Sequence, residues 1–282
     1  MEAVKALSAE EITELCLKHT LYDWGMQTGL KPLPVESAKG VHFHTTDGRR
    51  FIDFNSQLMS VNAGHGDRRI VEAIKRQAER LPYISPFMAH EPRARLGAKL
   101  AELLPGDIDK FFFTLGGAES NENAIKMARA VTGRPKILAR YRSYHGSTGT
   151  AVQATGDPRR WPNEHAAGVI HVLDPYHGIE QGWDDAKPAL RQLEEVIRLE
   201  GPETIAGFLL EPISGTNGVL IPPDGYLQGV RDLCTRYGIQ MICDEVMSGF
   251  GRTGRWFAVD HWGVVPDLIT MAKGLTSSYV PL

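Results

Sequence analysis

Three cysteines in 282 residues are few. Cys16, Cys234 and Cys243 form neither a C-x-x-C pair nor any metal-ligand spacing, which excludes a disulfide-stapled scaffold and a zinc ribbon. No metal is expected. No apolar run approaches the roughly 20 residues of a membrane span, and the opening MEAVKALSAEE lacks the apolar stretch of a secretory signal. Basic residues are not in excess: 31 Lys and Arg stand against 34 Asp and Glu, a net charge of −3. Nothing therefore recommends nucleic acid or an anionic membrane as a partner. Internal repeats and low-complexity segments are lacking too. What is there, 42% hydrophobic and 23% charged residues, is the composition of a soluble globular protein. The length suits one large domain or two ordinary ones, and the expectation is a reduced, cytoplasmic protein whose cysteines fill core.

Ser8-Ala9-Glu10-Glu11 reads as a capping box opening a short helix. VHFHT and RRFIDF flank Thr46-Asp47-Gly48 and predict a hairpin. From about Asn55 the pattern becomes apolar strands alternating with amphipathic helices. The strands expected are KFFFTL (110–115), KILARY (136–141), GFLLEPI (207–213), IQMIC (239–243) and DLITMAK (267–273). Helices are expected after Gly116-Gly117, over 184–199, and over 226–237 with Gly238 at the carboxy-terminal end. Residues 157–182, rich in Trp, Pro, His and Gly, read as a long irregular loop. Strands separated by helices argue a mainly parallel α/β sheet covered on both faces, with functional residues where strands end.

The segment MICDEVMSGFGRTG (241–254) ends in G-x-G-x-x-G. A dinucleotide site needs that motif at a strand tip with a helix starting inside it. Here Asp244, Glu245 and Ser248 intervene, and the aromatic, irregular RWFAVDHWG follows. The glycines are better read as a mobile or tightly turned loop, which moves the interest to Asp244. A carboxylate ending an apolar strand is a helix cap, a loop salt bridge, or the counter-ion of a bound cation such as a pyridinium nitrogen. Lys273 mirrors it: a solvated strand end, or a desolvated amine made nucleophilic. Gly116-Gly117-Ala118 is an ordinary strand-to-helix turn, or a phosphate cradle at a helix N-terminus. Tyr144 is a packed surface tyrosine, or an aromatic stacked on a flat ring, and His145 is a structural histidine or a base. Together, a phosphate cradle, a stacking tyrosine, a carboxylate counter-ion and a lysine are the parts that hold pyridoxal 5'-phosphate.

These residues resemble the class III, pyridoxal-phosphate-dependent aminotransferases of fold type I. The matching stretches are NAGHGDRRIVEAI (62–74), GGAESNENAIKMAR (116–129), SYHGST (143–148), LLEPI (209–213), ICDEVMSGFGRTG (242–254) and PDLITMAKGL (266–275). The resemblance implies a mainly parallel sheet sandwiched by helices, forming an incomplete large domain over 58–282. Residues 1–57 would be an N-terminal piece of the small domain, whose C-terminal part is expected to be absent, since the sequence stops nine residues after Lys273. It implies that Lys273 is the Schiff-base lysine, and that Asp244 keeps the pyridine nitrogen protonated. Val246 and Tyr144 would flank the ring, and Gly117 and Ala118 would bind the phosphate. His145 and Glu211 would lie near the cofactor, with Glu211 pairing with an arginine in some members.

Met247 stands where ornithine and acetylornithine enzymes carry glutamine. SQLMSVNAGHG (56–66) is similar to the omega-amino acid:pyruvate and taurine–pyruvate branch, with Met59 at a pocket position. Ser85 and Phe87 would reach a neighbouring subunit's site in a homodimer with shared active sites. The implied activity is transamination from an amine or omega-amino acid to a 2-oxo acid, pyruvate first, through an internal aldimine and pyridoxamine phosphate. A non-catalytic fragment or pseudo-enzyme, and an aminomutase or decarboxylase on the same scaffold, are the alternatives.

Overall fold

The computed structural model describes residues 6–23, 25–163, 168–176 and 185–282. They group into two compact units, Met1–Tyr83 and Ile84–Leu282.

In the first unit the capping box opens α1 (Ala9–His19): the Glu11 N–H donates to Ser8 Oγ at 3.2 Å, and the Ser8 N–H donates to Glu11 Oε2 at 2.8 Å. An antiparallel sheet follows in the order β1 (Val35–Lys39), β2 (His42–Thr45), β3 (Arg50–Ile52). Its β2–β3 turn passes through Gly48 at φ 83°, where the Gly48 N–H donates to the Thr45 carbonyl. Ser56–Met59 form one left-handed turn with φ of 54°, 46°, 62° and 60°, a conformation costly for residues with a Cβ. Asp67 caps α2 (Arg68–Arg80) by accepting the Arg69 N–H at 2.9 Å.

The second unit opens with α3 (Glu91–Leu103) and α4 (Gly117–Thr132). Then come β4 (Lys136–Arg140), α5 (Gly149–Ala154), β5 (Val169–Val172), α6 (Lys187–Glu200), β6 (Ile205–Leu210), α7 (Tyr226–Tyr237), β7 (Gln240–Asp244) and β8 (Leu268–Thr270). The sheet order is β5-β4-β6-β7-β8, every pair parallel. Strand side chains alternate between two cores, as a period of two requires. Leu138, Phe208, Leu210, Met241 and Cys243 pack with α6 and α7 on one face. Ile137, Ala139, Ala206, Leu209 and Ile242 meet Ala124, Ile125 and Ala128 of α4 on the other; in β6 the alternation shifts by one between Ala206 and Phe208, where the β4–β6 register slips between Lys136↔Ile205 and Ile137↔Gly207. The sheet is thus sandwiched, and its central strands β4, β6 and β7 are buried because helices cover both faces, while the edges β5 and β8 are half-buried.

Two expectations need correcting. KFFFTL forms no strand ladder; Phe111–Thr114 and Leu268–Met271 line one groove of about 140 Å³. Phe111 and Phe113 pack, partly buried, against the core on the α6 and α7 face instead, and burying apolar side chains requires no ladder partner. The stretch 157–182 is not wholly irregular. Pro158–Asn163 form a 3₁₀ turn, and Val169–Val172 form the edge strand β5, in register from Ile137↔Val169 to Arg140↔Val172. Three β-branched residues in VIHV suit that half-buried edge. Residues 177–182, and Asp184 at the expected start of α6, lie outside the described residues.

Candidate active site

Parallel strands present their carboxyl ends on one side of the sheet, and the next loops gather there. Tyr144 and His145 follow β4, Glu211 follows β6, Asp244 ends β7, and Lys273 follows β8 by three residues. Gly117 and Ala118 open α4. With Val246 two residues beyond Asp244, eight of the expected residues therefore sit at neighbouring strand ends and one helix start.

Asp244 is 4% exposed and accepts three hydrogen bonds. Oδ1 takes the Val246 N–H at 3.0 Å, and Oδ2 takes Asn121 Nδ2 at 2.8 Å and His145 Nδ1 at 2.8 Å. Three donors offset the cost of burying its charge. Because a carboxylate only accepts, His145 carries its proton on Nδ1. Its Nε2 is buried with no hydrogen-bond partner. Glu211 is buried as well: Oε1 accepts the Tyr144 N–H at 3.0 Å and Oε2 the Gly215 N–H at 2.7 Å. Burial pushes the Glu211 carboxyl up from its usual range, with the charge of Asp244 adding and that of His145 opposing. The carboxylate therefore pins the Tyr144 loop to the 211–215 turn. The Tyr144 ring lies under the Arg159 guanidinium, 4.1 Å from its centroid, while Arg159 also pairs with Asp157.

Lys273 lies in a 3₁₀ turn at φ 40°, a left-handed backbone for a residue with a side chain. Burial pushes its ammonium below the usual 10.5, partly opposed by the charges of Asp244 and Glu211. β7 and β8 pair Asp244 with Thr270, three residues before Lys273. α4 starts without a side-chain cap at Gly116, so its first N–H groups remain available to an anion. Gly117 leaves room for Val246: a Cβ there would come within 2.9 Å of Val246 Cγ1. Gly146 does the same for Ala118, 2.6 Å from the place its own Cβ would take.

The paired carboxylates of the glycine-rich segment divide their work. Glu245, fully buried, accepts the Ser248 hydroxyl and the N–H groups of Ala258 and Val259 at 3.0 and 2.9 Å. It anchors the loop rather than facing the site. The glycines turn the chain tightly: Phe250 N–H donates to the Trp256 carbonyl at 2.6 Å, and Gly251 and Gly254 have φ of 84° and 89°. Met247 packs its sulfur against Gly215.

Three further expected residues belong to other segments. Phe87 is 96% exposed in the loop between α2 and α3, and Ser85, half-buried, accepts the Met88 N–H on its carbonyl in that loop. Met59, half-buried, ends the left-handed turn of the first unit. Asn121 was not anticipated. Its signal was present: on the α4 face that carries Ala124, Ile125 and Ala128, position 121 is polar. A lone amide on an apolar stripe must find partners.

The family model for class III aminotransferases matches residues 26–282. Among curated relatives, the uncharacterized aminotransferase YhxA of Bacillus subtilis is 43% identical over 260 residues, 89% of this chain and 57% of that protein. The putrescine–pyruvate aminotransferase of Pseudomonas aeruginosa is 36% identical, over 88% of this chain and 58% of its own length. The chain thus spans little more than half the length of these relatives. Among solved structures, the taurine:2-oxoglutarate aminotransferase of Bifidobacterium kashiwanohense, in complex with pyridoxal phosphate and glutamate, superimposes with a TM-score of 0.94. It is 45% identical, over 99% of this chain and 64% of that one. An (S)-enantioselective omega-transaminase of Thermomicrobium roseum also gives 0.94, at 41% identity over 98% of this chain and 66% of that one. With its parallel sheet and this match over nearly its whole length, the chain belongs to the pyridoxal-phosphate-dependent class III aminotransferases.

Proposed function

We propose that this chain forms the cofactor-binding part of a transaminase that moves an amino group from an amine or omega-amino acid to a 2-oxo acid, pyruvate first. The observation that carries the reading is Lys273, an amine depressed by burial and interacting with the buried Asp244 across adjacent strand ends. The residues suit pyridoxal phosphate: an uncapped helix start for the phosphate, a buried carboxylate for the ring nitrogen, and side chains for both ring faces. When bound, the cofactor supplies an aldehyde and a protonated ring that accepts the electron pair left as the donor carbon loses its proton.

The N–H groups of Gly117 and Ala118 would hold the phosphate. Tyr144 and Val246 would confine the ring, and Asp244 would keep its nitrogen protonated. Lys273, its ammonium made more acidic by burial, would hold the cofactor's aldehyde carbon and would carry the proton to and from the donor carbon on Nζ. Glu211 holds Tyr144 in place through its backbone N–H.

Relatives named for putrescine, taurine and hypotaurine with pyruvate support that donor class and acceptor. Met247, where glutamine would mark the ornithine branch, points the same way. A homodimer with shared sites, to which Met59, Ser85 and Phe87 would contribute, fits the near-complete exposure of Phe87. The test is to add pyridoxal phosphate to the purified chain, reduce with borohydride, and locate the adduct by peptide mass spectrometry. The adduct is expected on Lys273 and absent from Lys273→Ala. An unlabelled Lys273 in the unaltered chain would defeat the proposal.

A further inference from the structure

The hydrogen bonds around Asp244 close unevenly. Each carboxylate oxygen has two lone pairs. Oδ2 spends both, on Asn121 Nδ2 and His145 Nδ1, while Oδ1 spends one, on the Val246 N–H. Oδ1 is therefore the oxygen with a place for one further donor.

Asn121 decides this arrangement, and Thr270 decides Asn121. An amide can sit either way round, with oxygen or nitrogen toward a given neighbour. The Thr270 hydroxyl donates to Asn121 Oδ1 at 2.7 Å, so the amide nitrogen faces the other way. Its two N–H groups then go to Asp244 Oδ2 at 2.8 Å and to the His145 carbonyl at 2.7 Å. Every polar atom of this side chain, 1% exposed, is used. The residue sits one turn into α4, behind Gly117 and Ala118. It thus joins the helix of the phosphate cradle, the Tyr144-His145 turn, the end of β7 and the end of β8, three residues before Lys273.

We infer that Asn121, with its amide oriented by Thr270, is a positioning residue that saturates Asp244 Oδ2 and leaves Oδ1 for the pyridine N–H of the cofactor. The inference rests on the proposed function. It adds that the ring is held by one specified oxygen, through a side chain on a different element. Without the amide, Oδ2 regains a lone pair and the carboxylate has two competing orientations. The ring then loses its fixed partner while Lys273 keeps its own chemistry.

The experiment compares the unaltered chain with Asn121→Leu, Thr270→Val and the double variant. Pyridoxal phosphate affinity is read by absorbance titration, ring orientation by the induced circular dichroism of the bound cofactor, and Lys273 labelling by borohydride trapping. Asn121→Leu is expected to weaken binding about tenfold or more, the range for a lost hydrogen bond to a charged group, and to diminish the induced signal, with Lys273 still trapped. Thr270→Val, nearly isosteric, is expected to act in the same direction but less. The double variant is expected to be no worse than Asn121→Leu, because the hydroxyl acts only through the amide. Unchanged affinity and induced signal in both single variants would overturn the inference, as would losses in the double variant that multiply. If Asn121→Leu does not fold, Thr270→Val decides alone: an unchanged induced signal overturns the inference and a diminished one supports it. A chain that binds no cofactor at all would instead defeat the functional reading.

Discussion

Gly146→Ala tests the packing that sets the cofactor cradle. Gly146 has φ 137°, and a Cβ there would lie 2.6 Å from Ala118 Cβ, 2.8 Å from Ala118 Cα and 3.2 Å from Ala151 Cβ. Two costs combine. Overpacking against a backbone atom costs about 1–3 kcal/mol, and holding a residue with a Cβ in a sparsely populated backbone region costs about 1–3 kcal/mol. Their sum centres on about 4 kcal/mol, which at about 2–4 °C per kcal/mol lowers the melting temperature by about 8–16 °C. Thermal melting followed by circular dichroism reads this directly. Two companions separate the causes. Gly251→Ala, at φ 84° with open space around it, carries the backbone cost alone, about 1–2 kcal/mol. Ala118→Gly added to Gly146→Ala removes the 2.6 Å overlap but leaves the backbone of residue 118 equally close, so only part of the loss returns. A Gly146→Ala protein melting within about 2 °C of the original would refute the packing argument. So would a fall no larger than that of Gly251→Ala.

Two further outcomes follow from single residues. Burial pushes the Glu245 carboxyl above its usual 4.5. Its native value is thus raised, and the stability it contributes is full below the unfolded value and shrinks as pH rises through the folded one. Glu245→Gln does not titrate, so the stability gap between the two proteins, measured by urea unfolding, is expected to narrow from about pH 4 upward; a gap that widens with pH contradicts the assignment. Gln57 is exposed at φ 46° in the left-handed turn, and Gln57→Gly relieves about 1–2 kcal/mol of backbone cost against about 0.5–1 kcal/mol of added chain entropy. A net gain of up to about 1.5 kcal/mol in unfolding free energy is expected, and a loss would show that the turn is not strained.

How legible the protein was differs from element to element. The Ser8–Glu11 capping box, the Gly48 turn and the buried strands of KILAR, IAGFLL and QMICD could all be read from spacing. Each depends on neighbours within a few residues or on an apolar run covered on both faces. KFFFTL was misread because a β-rich composition specifies an extended chain but not its partner. VIHV was missed because four residues in a stretch rich in Pro and Gly give too short a pattern to separate a strand from a loop. At the site, Asp244 and Lys273 drew attention as charges at the ends of apolar runs, where desolvation requires a reason. Asn121 carried the same signal in weaker form, as one amide on an apolar helix face, and amides often bond to their own helix.

The chain's local chemistry settled most of the helices and the buried central strands, and that Asp244 and Lys273 stand as charges at the ends of apolar runs. It could not settle that Asp244 faces the site while Glu245, its neighbour, anchors a loop. That depends on which side of β7 each points to and on what the other elements bring there. Nor could it settle which oxygen of Asp244 stays open, since the bonds that decide it join residues 99, 123 and 149 positions apart. Sequence spacing carries no distance information across such separations; only the packed sheet and its helices bring the donors within reach.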